Sequence, residues 1–227
     1  MTRGRQGNLP PFVFSEGRPM KTIACLHTSA SNVAVFTAAC PEGATLTHRV
    51  DEALLRDAEA AGGLTEAIAA RTARALEALA LPGIDAVLLT CSTVGPGAAQ
   101  ARAAIPVLRV DAALAEQATR DGGQVVVLCA VETTVGPTRD IFAEAAARHG
   151  ATLDVRLVPG AWAAYRGGDP ARYHALVAAA AEAAFAEGAA QVALAQASMA
   201  GAAALCRGRM PLASPPAGLA AALSAAG

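Results

Sequence analysis

Among the side chains able to carry chemistry, Cys91 has the most suggestive setting, in the run Leu89-Thr90-Cys91-Ser92-Thr93-Val94-Gly95. An apolar, strand-like stretch from Ile84 to Leu89 stops at these small polar residues and hands over to an Ala-rich segment that reads as a helix. Such a junction aims free backbone N–H groups and the positive end of a helix dipole at one point, which suits an anion. Ser92 and Thr93 add hydroxyl donors. The same field favours thiolate over thiol at Cys91, the form that acts as base or nucleophile. The competing reading makes Cys91 a small buried hydrophobe and the Ser/Thr run a helix cap.

A second copy of the pattern strengthens the chemical reading. Sliding the chain along itself lays Val87–Val94 on Val192–Met199, which pairs Cys91 with Gln196 and Thr93 with Ser198. Neighbouring offsets lay Ile23–Leu26 on Val125–Leu128, Ser31-Asn32-Val33 on Thr133-Thr134-Val135, and Ala44–Leu46 on Ala151–Leu153. Three such offsets in the same order argue for a duplicated α/β unit.

The elements that must position these residues follow from pattern. Thr22–Leu26 and Ala44–Val50 read as strands, with a helix between them capped by Ser31 or Asn32. Thr65 is a helix N-cap, Asp111 caps another helix, and Asp169-Pro170 pairs an N-cap with a first-position proline. Pro137 is expected in the first turn of its helix, Trp162 and Tyr165 in a Gly-rich loop that could cover the cleft, and the last helix from Pro216. Alternating strands and helices imply an α/β fold: two similar Rossmann-like subdomains with parallel sheets, related by a pseudo-twofold axis. Ligands then bind at the carboxyl ends of the strands, in the cleft between the halves. Residues 20–122 would form the first subdomain and 123–215 the second, with a helix over about 216–225 crossing back to the first.

The 227 residues are enough for two halves of about 100 residues each. A net charge of -1 gives no footprint for nucleic acid. No apolar run approaches the ~20 residues of a membrane span. Residues 1–19 are basic, without period and without a signal-peptide apolar core, and read as a disordered extension. The five cysteines are widely spaced, with no Cys-x-x-Cys pair or His-rich partner, which opposes a metal site or a disulfide framework and fits the reducing cytoplasm.

The runs Leu-Thr-Cys-Ser-Thr-Val-Gly at 89–95, His-Arg-Val-Asp-Glu-Ala-Leu-Leu at 48–55, Val-Glu-Thr-Thr-Val-Gly-Pro-Thr at 131–138 and Ala-Leu-Ala-Gln-Ala-Ser-Met-Ala at 193–200 resemble the Asp/Glu/hydantoin racemase superfamily. The resemblance implies a cofactor-independent enzyme acting on a small carboxylate, with a homo-oligomer as a further expectation. It implies two cysteines, one from each half, facing the α-carbon from opposite sides. Cys91 matches the first; the second position is Gln196, which has no titratable proton in the useful range. Ser198 and Cys206 are the nearby candidates to replace it. Ser92, Thr93, Thr133 and Thr134 are implied carboxylate binders, with Ser31, Asn32 and Ser198 in the equivalent strand-end clusters.

With one thiol, one-sided chemistry gains weight beside racemisation: decarboxylation, or cis-trans isomerisation of a small dicarboxylate, as in arylmalonate decarboxylase and maleate isomerase relatives. A non-catalytic carboxylate-binding protein is the alternative from a different class. Asp51 is expected near the cleft, His48 away from catalysis. His27 is either a ligand-facing donor or a core histidine. Glu132 turns away, caps a helix or meets a cationic group.

Overall fold

The computed structural model describes residues 20–227, so the extension read over 1–19 lies outside the described residues. The first lobe holds strand β1 (Lys21–His27), helix α1 (Ser31–Ala38), β2 (Ala44–Val50), α2 (Glu52–Ala60), α3 (Glu66–Glu77), β3 (Ala86–Leu89) and β4 (Val107–Arg109). Helix α4 (Val110–Thr119) leads into β5 (Gly123–Cys129), α5 (Glu132–His149), β6 (Ala151–Leu157), α6 (Ala161–Arg166), α7 (Pro170–Ala186), β7 (Gln191–Leu194), β8 (Leu212–Ala213) and α8 (Ser214–Ala225). Each lobe has one four-stranded, all-parallel sheet, ordered β2-β1-β3-β4 and β6-β5-β7-β8. Identical strand orders are what a duplicated unit requires.

Strands β3 and β7 read Ala-Val-Leu-Leu and Gln-Val-Ala-Leu, and β3 is buried throughout. Continuous apolar runs of this kind belong to parallel sheets covered on both faces. The lobes exchange helices across their junction. On α4, Leu114, Ala115 and Ala118 enter the core of the second sheet beside Val125 and Phe142, whereas on α8 Leu219 and Ala222 enter that of the first beside Ile23 and Leu88. Gly218 permits the α8 contact, since a Cβ there would meet Val110 Cγ2 at 2.7 Å.

Thr65 caps α3 by accepting from the Ile68 amide, and Asp169 caps α7 by accepting from that of Arg172. Several helix expectations need correction. The segment after Cys91 is a 3-10 helix confined to Gly95–Gln100, because Pro96 and two glycines disfavour a regular helix. Helix α5 begins at Glu132, a turn earlier than expected, leaving Pro137 inside it. Trp162 and Tyr165 sit on the short helix α6 rather than in a loop, and α8 starts at Ser214 rather than Pro216. Helix α1 is preceded by Ala30 and has no side-chain cap, so neither Ser31 nor Asn32 serves as one.

Candidate active site between the lobes

The carboxyl ends of β1, β3, β5 and β7 converge on a cleft of about 240 Å³. Ser31, Asn32, Cys91, Ser92 and Thr93 line it from the first lobe, and Thr133, Thr134, Gln196 and Ser198 from the second, so the structure brings all nine expected residues to one place. Trp162 and Tyr165 line it too, their rings stacked with centroids 5.2 Å apart. Thr28 and Thr90 of the strand-end runs line it as well, and Leu55, Glu59 and Ser214 are lining residues that pattern reading missed. Glu59 could have been found only by knowing which face of α2 meets the cleft. Asp51 is not among the lining residues; it precedes α2, and Glu59 from that helix is the acid that reaches the wall. Glu132 is exposed at the start of α5 and turns away from the lining.

Cys91 is 9% exposed, backed by the apolar cluster of Leu89, Val94 and Ile68 and open on its cleft side. The chain after it turns through a Gly95 N–H donation to the Ser92 carbonyl at 3.0 Å. Among the described residues the amides of Cys91, Ser92 and Thr93 have no main-chain acceptor, which leaves them free for a ligand. In the second lobe the matching turn closes through Met199 N–H to the Gln196 carbonyl at 3.0 Å.

Gln196 is held at both ends. Its Oε1 accepts from the Ala130 amide at 2.7 Å, and its Nε2 donates to Thr134 Oγ1 at 2.7 Å, whose hydroxyl donates to the Val131 carbonyl at 2.7 Å. This bracket ties the end of β5 to the start of α5 and holds no group that exchanges a proton. Ser198 shares a hydrogen bond of 2.9 Å with Tyr173, whose hydroxyl is pushed up to about 12 by burial and so supplies no base. Cys206 donates weakly to the Ala178 and Ala202 carbonyls, its thiol raised by burial, and it does not line the cleft. Ser198 thus lines the cleft with its hydroxyl engaged by Tyr173, whereas Cys206 lies outside the lining.

Among the described residues no Lys, Arg or His lines the cleft, and Glu59 is its one carboxylate. Arg109, close by, is engaged by Asp111 through bonds of 3.0 and 2.7 Å. Neutral donors, amides and hydroxyls therefore line the cleft itself, while Arg109 lines an adjoining cavity that shares Ser92, Thr93 and Thr133 with it. Ser214 Oγ is buried on the cleft wall without a hydrogen-bond partner. Leaving such a group unpaired costs about 1–3 kcal/mol, which a ligand accepting or donating there recovers.

His27 is fully buried at the end of β1 and, like His48, does not line the cleft. Its Nδ1 lies 2.8 Å from Thr90 Oγ1, and its Nε2 lies 2.9 Å from His48 Nδ1. Burial, then the neighbouring His48, lowers the His27 pKa to about 4. Cys25 comes from the same face, and its sulfur and the ring nitrogens lie within 4.8 Å of one another. Sequence spacing hid this trio because β1 and β2 contribute separately. Its facing nitrogens sit at hydrogen-bond distance, closer than the ~3.3 Å between two nitrogens on a tetrahedral ion.

The sequence matches the Asp/Glu/hydantoin racemase family over residues 27–222. The chain belongs to that family. Solved racemases share its fold: an aspartate racemase of Picrophilus torridus (14% identity, 91% of this chain and 94% of that one, TM-score 0.68) and an allantoin racemase of Pseudomonas fluorescens (20%, 90% and 90%, TM-score 0.64). Glutamate racemase RacE1 of Bacillus anthracis is similar at 15% identity, over 90% of this chain and 80% of that one, with a TM-score of 0.59. No curated protein sequence matches. Family membership makes the chain an enzyme of the racemase and isomerase superfamily.

Proposed function

We propose that this racemase-family enzyme works without a cofactor on a small carboxylate, with Cys91 moving a proton at the carbon next to the carboxylate. The observation that carries this reading is the asymmetry of the two walls: an accessible thiol on one, a fully engaged Gln196 at the matching place on the other. Free amides and the hydroxyls of Ser92, Thr93 and Thr133 receive the carboxylate. Proton removal builds charge onto its oxygens, and fixed donors stabilise that charge most in the transition state. A single thiol favours one-sided outcomes, proton exchange with retention or protonation after decarboxylation, over two-base racemisation. Glu59 in the lining is free to accept from an ammonium or amide N–H of the substrate.

The test is incubation in D₂O with a panel of α-amino acids, hydantoins and malonates, read for α-deuteration and CO₂ release. Exchange or CO₂ release that disappears in Cys91→Ala supports the proposal. Turnover that survives this substitution overturns the thiol mechanism; silence on the whole panel with carboxylate-dependent thermal stabilisation makes the protein a binder.

A further inference from the structure

Behind the Cys91 wall runs a chain of four side chains that crosses the first sheet: Thr90, His27, His48 and Thr37. Thr90 Oγ1 and His27 Nδ1 are 2.8 Å apart, His27 Nε2 and His48 Nδ1 2.9 Å, and His48 Nε2 and Thr37 Oγ1 3.1 Å. Thr90 lines the cleft, and Thr37 is exposed on α1.

Each end has an alternative place for its hydrogen. Thr90 Oγ1 lies 3.1 Å from the Leu26 carbonyl and Thr37 Oγ1 2.8 Å from the Val33 carbonyl. Two neutral arrangements therefore satisfy every member. In one, Thr37 donates to His48 Nε2, His48 Nδ1–H to His27, His27 Nδ1–H to Thr90, and Thr90 to the Leu26 carbonyl. In the other, Thr90 donates to His27 Nδ1, His27 Nε2–H to His48, His48 Nε2–H to Thr37, and Thr37 to the Val33 carbonyl. Both use imidazole as one donor and one acceptor, and which is occupied is a matter of tautomer. Burial lowers the pKa of both rings, which keeps them in this neutral form.

The second lobe lacks the device. The paired strands place Cys129, Val155 and Ala195 where the first lobe has His27, His48 and Thr90. The duplicated fold therefore does not require the chain. It exists only behind the wall that carries the thiol.

We propose that Thr90, His27, His48 and Thr37 form a proton relay connecting the Cys91 side of the cleft with solvent. The inference rests on the proton-moving role proposed above for Cys91. In one inward passage Thr37 hands its proton to His48 Nε2 and takes another from water, while His48 Nδ1 loses its proton to His27 Nε2. His27 Nδ1 then loses its proton to Thr90 Oγ1, whose original proton turns from the Leu26 carbonyl and passes to the acceptor in the cleft. One proton leaves solvent and one arrives; every member ends neutral with the chain reversed. Rotation of the end hydroxyls and return of the tautomers reset it. His27 and His48 are positioning and transfer groups rather than substrate contacts.

The test has two arms on the full-length protein. Long-range ¹H–¹⁵N correlation spectra of the histidine rings are expected to show His27 and His48 averaging between both tautomers; one fixed tautomer on either ring overturns the relay, whatever the enzyme does. In the D₂O assay, His48→Ala is expected to lower α-deuteration or decarboxylation by about 10²-fold and to recover with added imidazole. His48→Gln, which keeps hydrogen bonds but cannot relay, is expected to be equally slow and not rescued. Wild-type rates in His48→Gln, or loss in His48→Ala without rescue, overturn the relay. Averaged tautomers in a protein silent on the whole panel overturn the thiol reading while leaving the proton path standing.

Discussion

The two lobes share strand order and the turn that follows the third strand, yet they spend those turns differently. In the first, Cys91 and its amides stay open to the cleft, with a hydrogen-bonded chain behind them. In the second, the corresponding Gln196 is consumed in holding Ala130 and Thr134 together, and buried Cys129 stands where His27 stands in the first. Duplication thus sets where chemistry can occur, and the side chains at matched positions decide which copy performs it. On the function proposed above, the second lobe would supply shape and ligand donors and the first the mobile proton.

The comparison breaks most readily at the thiols. Cys91→Ala is expected to reduce α-deuteration or decarboxylation by about 10²- to 10⁴-fold, whereas Cys206→Ala leaves it unchanged. Equal effects would erase the division of labour.

Acid should find the first lobe before the second. The folded His27 pKa near 4 lies below the ordinary value of 6.5, so the unfolded chain binds a proton first and stability falls as pH drops from about 6.5 towards 4. Each unit of such a shift corresponds to about 1.4 kcal/mol. Urea midpoints should therefore decline over this window in the wild type and decline less in His27→Gln.

Gln196→Ala leaves the Ala130 amide unsatisfied and should cost about 1–3 kcal/mol, read from the urea midpoint. Gln196→Cys sharpens the comparison further. It is expected to lose the same bracket but gain interconversion of enantiomers by chiral chromatography, because a second thiol then faces the first. The smallest difference concerns helix starts: Thr65→Ala in the first lobe and Asp169→Ala in the second should each cost about 1 kcal/mol of thermal or urea stability, since each removes one side-chain acceptor at an N-cap.

Much of the cleft lining was legible because parallel sheets gather ligands at strand ends, and the polar clusters at Ser31, Cys91, Thr133 and Gln196 fall at those ends. The repeat supplied the pairing of Cys91 with Gln196. What pattern could not supply was the orientation of helices. Asp51 follows β2 directly, yet the α2 turn carries Glu59 to the cleft instead. The Ala-rich stretch after Cys91 has strong helix propensity, but Pro96 and its glycines shorten it to a 3-10 segment packed on α3. The Cys25, His27 and His48 trio depends on the β1–β2 register, in which Cys25 stands opposite His48, and no spacing within one segment reveals that.

The crossing of α4 and α8 has a consequence for how the protein is made. Leu88, Val110 and Ile23 share a core cluster with Phe36 of α1 and with Leu219 and Ala222 of α8, so their cover is complete only when that later helix arrives. A nascent chain that has left the ribosome as far as β7 therefore holds every strand of the first sheet while the part of that apolar face covered by α8 is still bare. The first lobe is completed only when α8 docks, and apolar surface left exposed until then favours aggregation.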